Sequence, residues 1–439
     1  MPTSPYPQRP LTDLLEELEA AVHAGDRARA IQLEQAILQR IAAEAADRTG
    51  LERRVRALMA TLDQQRPGDR ITKTIAKVKS DASTLDRQPT DSRAKNLDPL
   101  NLERSSPPAD ADGIVYPVWF GTNRKPTARA DGFTGERYHR ITRGRAEVYV
   151  PQAHRFGETG TNFWQRLLRF DLRDDRLRLQ HVEKQGREAF FADMGQAMQS
   201  ARESGEPPHA LFYLHGFNVT FEEAAVRAAQ IGYDLKVPGA TAFFSWPSRG
   251  SVTAYPVDEA SIEASEPAIT EFLVDFAANC GAEKVHVIAH SMGNRGLLRA
   301  LQRIAANAET QGTVTFGQVF LAAPDVDRDL FLDLARLYPQ HAERTTLYAS
   351  DGDLAVHLSA KLHDAPRAGY YTPYTVVADV DTVAVPDFDI DLLGHAYFAQ
   401  AQALLHDIHD LMRHNEAPAR RQRITPSVHG GATFWKLAR

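Results

Sequence analysis

The chain has 439 residues, 43% hydrophobic and 25% charged, which is enough apolar material for one large core or roughly two to three ordinary ones. Its 51 basic and 57 acidic residues leave a formal charge of −6, too mild to argue for nucleic-acid binding. A single cysteine, Cys280, excludes an intrachain disulfide and a cysteine-rich metal site.

The opening decapeptide, Met1 to Pro10, holds no apolar run, and no later stretch approaches about eighteen consecutive apolar residues. The expectation is a cytoplasmic protein with no membrane span. Residues 1–65 carry helical spacing, with Leu14, Leu15, Leu18, Ala21 and Val22 on one face, and later Leu51, Val55, Leu58 and Leu62. Breaks at Gly25-Asp26 and Thr49-Gly50 divide the region into an N-terminal helical bundle or hairpin. One apolar stripe per helix suits packing or homo-oligomer formation better than ligand binding. Residues 66–113 collect Pro67, Pro89, Pro99, Pro107 and Pro108 and read as a linker, in which Ile71 to Lys79 forms at most a short, solvated basic helix.

From Ile114 the texture turns β-prone, with strand runs at Ile114 to Phe120, Ala146 to Val150 and Leu177 to Val182. Between them, Arg155 to Phe170 is amphipathic through Phe163, Trp164, Leu167 and Leu168, a pattern better explained by core packing than by shielding of a site or contact with lipid. A helix is expected over Phe190 to Ser204. Strand and helix then alternate: strand Ala210 to Leu214, helix Phe221 to Leu235, strand Ala240 to Trp246, helix Ala268 to Cys280, strand Val285 to Ala289. Beyond these come strand Gly317 to Ala322, helix Leu330 to Leu337, strands Thr345 to Ala349 and Tyr374 to Val380, and a helix Ala396 to Met412. This alternation predicts an α/β domain over 114–415, a mostly parallel sheet flanked by helices, followed by a tail at 416–439.

Ser291 stands where the apolar strand Val285 to Ala289 gives way to a helix bearing Leu297, Leu298, Leu301 and Ile304 on one face. A sharp strand-to-helix turn lifts a serine hydroxyl out of a sheet, and small neighbours let the backbones pass. The pattern is Gly-x-Ser-x-Gly with Ala289 in place of the first glycine and Gly293 as the second. A serine nucleophile needs a base, an orienting acid and donors for the oxyanion. His395, beside Gly394 in the loop before the last helix, is the candidate base among 16 histidines. Asp353, after the strand ending at Ala349, is the first choice of acid and Asp351 the second. Asp325 is a rival from the preceding loop, where a turn with a helix N-cap is the favoured explanation. The oxyanion donors are expected from the backbone N–H groups of Met292 and of Phe217, the latter in the loop His215-Gly216-Phe217-Asn218. His215 is expected to structure that loop. Together with Asn218, Trp246 and His290 it is also a candidate for the substrate pocket, with Trp246 either walling an acyl pocket or merely ending its strand.

The order Ser291, Asp353, His395 joins other stretches: Phe120-Gly121-Thr122-Asn123-Arg124, Leu214 to Asn218, Phe244 to Gly250 with Tyr255 and Asp258, Ala322-Ala323-Pro324-Asp325, Tyr348 to Asp353, and Gly394-His395. Over roughly 114–412 the chain resembles the bacterial esterase/lipase-like α/β-hydrolases of largely unknown function. The resemblance implies the α/β-hydrolase fold and a triad of Ser291, Asp353 and His395. It does not extend to the N-terminal helices. The expected activity is cleavage of a small-molecule or lipid carboxylic ester with neither metal nor organic cofactor. A lipase or phospholipase acting at membranes is the alternative, and a catalytically silent fold used for assembly is another.

Overall fold

Alternating strands and helices after residue 113 build, in the computed structural model, a sheet of eleven strands among the described residues. Those residues are 113–127, 132–151, 177–250, 254–350, 365–370, 373–385 and 398–438, together with Glu17 and Leu33. The chain divides into two compact units, Met1–Glu103 and Arg104–Arg439, and all the strands belong to the second. Apart from Glu17, Leu33 and Gly113, the expected N-terminal helices and linker lie outside the described residues, as does the amphipathic stretch 155–170.

The strands are β1 (Gly113–Pro126), β2 (Phe133–Pro151), β3 (Arg178–Gln185), β4 (His209–Leu214), β5 (Gly239–Ser245), β6 (Lys284–His290), β7 (Phe316–Ala322), β8 (Ala342–Ser350), β9 (Val380–Val385), β10 (Ile424–His429) and β11 (Ala432–Leu437). Their order is β10-β11-β9-β8-β7-β6-β4-β5-β1-β2-β3. From β5 to β9 every pairing is parallel, β1 joins β5 in parallel, and β2 and β3 fold back antiparallel. Central strands such as β4 and β7 are buried along their whole length, which explains their largely apolar sequence. The order in which strands are added reverses at β4, because β5 lies on one side of it and β6 on the other. The crevice outside the carboxyl ends of β4 and β6 is therefore the switch point at which such sheets hold ligands.

Two helical layers cover the sheet. One contains α1 (Arg187–Glu203), α3 (Tyr255–Asn279), α4 (Gly293–Ala306), α5 (Arg328–Leu334) and α6 (Leu337–His341), through side chains such as Met194, Phe272, Leu297, Phe331 and Tyr338. The other contains α2 (Phe221–Asp234) and α7 (Phe398–His414), through Phe221, Ala228, Leu404 and Ile408. Phe272 meets Phe212, Phe244 and Phe276 with ring centroids 5.6 to 6.2 Å apart. A side chain at Gly121 would lie 2.5 Å from its ring, so truncating Phe272 to alanine would open a cavity costing about 3–5 kcal/mol.

Three expectations need correction. Helix α3 starts at Tyr255 rather than near Ala268 and runs through Pro267. Its first half buries Asp258, Ser261 and Ser265, so apolar periodicity does not reveal it. Strand β9 begins at Val380 instead of ending there. Residues before it turn at Asp379 (φ 60°), closed by a bridge between Val377 and Val380 and by Thr382 Oγ1 donating to the Thr375 carbonyl at 2.7 Å. The stretch 416–439 is not a separate tail, for it supplies β10 and β11, and Arg421 reaches Asp407 on α7.

Candidate active site

Ser291 adopts φ 48°, the left-handed conformation in which an L-residue is strained by roughly 1–2 kcal/mol. Four hydrogen bonds hold it there. Its N–H donates to the Ala322 carbonyl at 2.9 Å, and its carbonyl accepts from the Asp325 N–H (3.1 Å), the Asn294 N–H (3.1 Å) and Asn294 Nδ2 (3.1 Å). Asn294 Nδ2 also reaches the Ala289 carbonyl at 3.0 Å, stitching strand end to helix start. Gly293 is required because a Cβ there would lie 2.6 Å from the carbonyl oxygens of Leu214 and His215. On the other side of the turn Ala289 is buried within β6, and alanine fits where a glycine is usual. Ser291 is 1% exposed, and its Oγ has no hydrogen-bond partner among the described residues.

The loop after β4 faces this turn. A Cβ on Gly216 would lie 3.1 Å from Ser291 Cβ and 3.0 Å from His290 Nδ1, tighter than ordinary contact, so a larger residue here would press the loop against the serine turn. His215 Nδ1 stands 2.7 Å from the Gly216 carbonyl, which can only accept, so Nδ1 carries the proton. Nε2 is then the acceptor for Ser245 Oγ at 3.3 Å, and Ser245 Oγ accepts from Arg124 Nε at 2.8 Å. Burial first, and then the charge of Arg124, hold His215 well below the usual imidazole range, and it is neutral. Trp246 is fully buried, stacks on the His215 ring at 5.0 Å and donates from Nε1 to the His215 carbonyl at 2.9 Å. It backs the loop. Asn218 (φ 57°) is likewise a turn residue, its N–H donating to Asp258 Oδ2 at 3.1 Å.

Both expected oxyanion donors share one arrangement. In a trans peptide the C=O and the following N–H point opposite ways. Pinning the Gly216 carbonyl onto His215 turns the Phe217 N–H away from it, and pinning the Ser291 carbonyl turns the Met292 N–H away at the start of α4, where the helix dipole favours negative charge. Neither N–H donates to a described residue. The Phe217 side chain packs edge-on against Tyr255 at 5.3 Å.

Asp325 is fully buried and engaged elsewhere: Tyr255 Oη donates to it at 2.5 Å, Arg295 lies 3.3 Å away and Arg367 3.7 Å. The helix N-cap in that loop is Asp327, which accepts from the Asp329 and Leu330 N–H groups. Asp353, Asp351 and His395 lie outside the described residues, but β8 and β9, whose ends at Ser350 and Val385 precede them, run parallel to β6 with their carboxyl ends on the same edge. A cavity of about 810 Å³ near Arg143 and Thr310, and one of about 180 Å³ near Arg295 and Arg367, are both lined without Ser291. Among the described residues no group of three or more His, Cys, Asp or Glu could hold a metal ion, and no helix is long and apolar enough to cross a membrane.

Residues 195–413 match the family described as "Alpha/beta hydrolase of unknown function (DUF900)". The chain belongs to the alpha/beta hydrolases. Curated proteins give no match. Two solved structures resemble this alpha/beta hydrolase: an uncharacterized protein from Bacillus cereus ATCC 10987 (13% identity, TM-score 0.32, 48% of this chain and 61% of that one) and a protein from Agrobacterium vitis S4 (12% identity, TM-score 0.30, 69% and 99%). This hydrolase thus spans 61% of the length of the Bacillus cereus chain, and at such TM-scores neither likeness bears on the site.

Sequence reading assigned no role to Arg124, Ser245, Ser248 or Asp258, all buried beside the loop. Arg124 also donates to the carbonyls of Ser248 (2.9 Å) and Val219 (2.7 Å), and burial lowers its guanidinium to about 9, against the charges of Asp258 and Glu223. Asp258 accepts from Ser248 Oγ (2.5 Å) and the Arg249 N–H (2.8 Å) besides Asn218. The available signal was the polar run Thr122-Asn123-Arg124 following the apolar Val118-Trp119-Phe120, and the i, i+3, i+7 spacing of Asp258, Ser261 and Ser265.

Proposed function

We propose that this alpha/beta hydrolase is a serine hydrolase that cleaves carboxylic esters through an acyl-enzyme intermediate. The observation that carries the reading is the strained, buried Ser291, whose Oγ is uncommitted among the described residues and stands beside two peptide N–H groups aimed away from their pinned carbonyls. Ser291 Oγ attacks the ester carbonyl while His395 takes its proton, and the Phe217 and Met292 N–H groups hold the negative oxygen. His395 returns the proton to the leaving alkoxide, then activates a water that releases the acid and frees Ser291. Asp353 holds the imidazole in the required tautomer. The strand order supports these assignments, since the sequence after β8 and β9 starts from the edge that carries Ser291.

The test is labelling with a fluorophosphonate, together with turnover of short- and long-chain nitrophenyl esters, by the full chain and by Ser291→Ala. Labelling and turnover that vanish with Ser291 support the reading, and the chain-length profile sorts an esterase from a lipase. A folded wild type that neither labels nor turns over would leave the fold as a binding or assembly module.

A further inference from the structure

Arg124 is 1% exposed, and no carboxylate among the described residues comes within 4.0 Å of it. A buried guanidinium without a direct ion pair is costly, and here its hydrogen bonds go to neutral oxygens. Nε reaches Ser245 Oγ, Nη1 the Ser248 carbonyl and Nη2 the Val219 carbonyl, at 2.8, 2.9 and 2.7 Å. The fork therefore points at the end of β5 and at the loop after β4 together.

Protons along this set have one consistent direction. Arg124 Nε–H donates to Ser245 Oγ, Ser245 O–H donates to His215 Nε2, and His215 Nδ1–H donates to the Gly216 carbonyl. Beyond Phe217, Asp258 takes the Asn218 N–H and Ser248 Oγ takes the Val219 N–H at 3.0 Å. The Gly216 carbonyl before Phe217 and the Asn218 and Val219 N–H groups after it are thus held, while the Phe217 N–H between them donates to no described residue.

We propose that Arg124 is a positioning residue for the oxyanion-binding N–H of Phe217, acting through Ser245 and His215. This rests on the serine-hydrolase reading of Ser291. A lysine cannot replace it, because one ammonium lacks the planar fork that spans three separated acceptors. Arg124 does not touch the reacting atoms. It fixes the peptide plane that does.

The experiment compares wild type, Arg124→Lys and Ser245→Ala on an oxygen ester and on the matching thionoester, whose larger C=S sulfur is a poor guest for aligned N–H donors. Active sites are counted by fluorophosphonate titration, so that unfolded molecules drop out. Loss of one oxyanion donor costs about 10²–10³ in kcat, so both variants should lose about ten- to a hundredfold in kcat, with KM within about threefold, and most of the wild-type preference for the oxygen ester. A purely structural role would lower the count of active sites and leave kcat per site and that preference unchanged, and this result overturns the proposal. Ser245→Ala removes one oxygen and keeps the guanidinium, so it decides the matter if Arg124→Lys does not fold. Should wild type hydrolyse neither ester, the reading of Ser291 fails and takes this proposal with it. If wild type turns over and both variants match it, the positioning role alone fails.

Discussion

Tyr255 donates its hydroxyl proton to Asp325 Oδ2 over 2.5 Å, and the Asp325 N–H in turn donates to the Ser291 carbonyl at 3.1 Å. Helix α3 is thereby tied to the turn that carries the serine. Because Arg295 and Arg367 also face Asp325, this carboxylate neutralises a buried cationic cluster. Asp325→Ala should therefore destabilise the fold by about 3–5 kcal/mol in urea titrations. Turnover per folded molecule should survive. Asp353→Asn should do the reverse, keeping stability within about 1 kcal/mol while kcat falls by up to about 10⁴. Urea midpoints and site-normalised kcat for the two variants check which aspartate serves the histidine.

Gly293 has no room for a methyl group, with two carbonyl oxygens 2.6 Å from where it would sit. Gly293→Ala should cost about 1–3 kcal/mol through forced separation of α4 from β4. Since one of those oxygens belongs to His215, kcat should fall as well. Thermal melts and ester kinetics on the same preparation measure both effects.

The left-handed backbone of Ser291 predicts an order of stabilities among inactive variants. Ser291→Gly removes the Cβ that makes φ 48° unfavourable, whereas Ser291→Ala keeps it. The glycine variant should be about 1 kcal/mol more stable than the alanine variant by chemical denaturation. Equal stabilities would mean that the turn is not strained.

His286 governs a pH dependence. The Gln318 N–H donates to its Nδ1 at 3.1 Å, so its Nε2 carries the proton toward His209 Nδ1 at 3.2 Å. Burial, with smaller effects from His209 and Lys284, lowers it from 6.5 to about 3. The unfolded chain therefore binds the proton first, and the folded state's advantage is complete above pH 6.5 and is lost as pH falls from there toward 3. The slope from this one group approaches about 1.4 kcal/mol per pH unit. Urea midpoints at pH 7, 6, 5 and 4 should fall steadily in wild type and less steeply in His286→Gln. His209 and His215, both lowered as well, sustain the residual slope.

How far the sequence discloses this architecture depends on whether a feature is local. The strand, serine and helix of residues 284–306 are contiguous, and the change of period at Ser291 is visible without a fold. His215-Gly216 is equally local. Arg124 is not: its acceptors lie 95 to 124 positions away, and only the parallel pairing of β1 with β5 brings it to the loop. The first half of α3 escaped because Asp258, Ser261 and Ser265 interrupt Tyr255 and Ile262 on its buried face, a mixture that apolar periodicity does not pick out. Strands β10 and β11 were hidden for a related reason, since exposed and half-buried positions dominate them.

The sheet extends beyond the family match at both ends, with a consequence for how the molecule is divided. A polypeptide cut to residues 195–413 would retain Ser291 and the loop after β4. It would also leave β5 without β1 and β9 without β11, two bare edges of buried, apolar strands open to pairing with other chains. The same cut removes Arg124 and Arg421, and Arg421 is the buried partner of Asp407. Aggregation of such a fragment would report on severed neighbours, and its inactivity would say nothing about the serine.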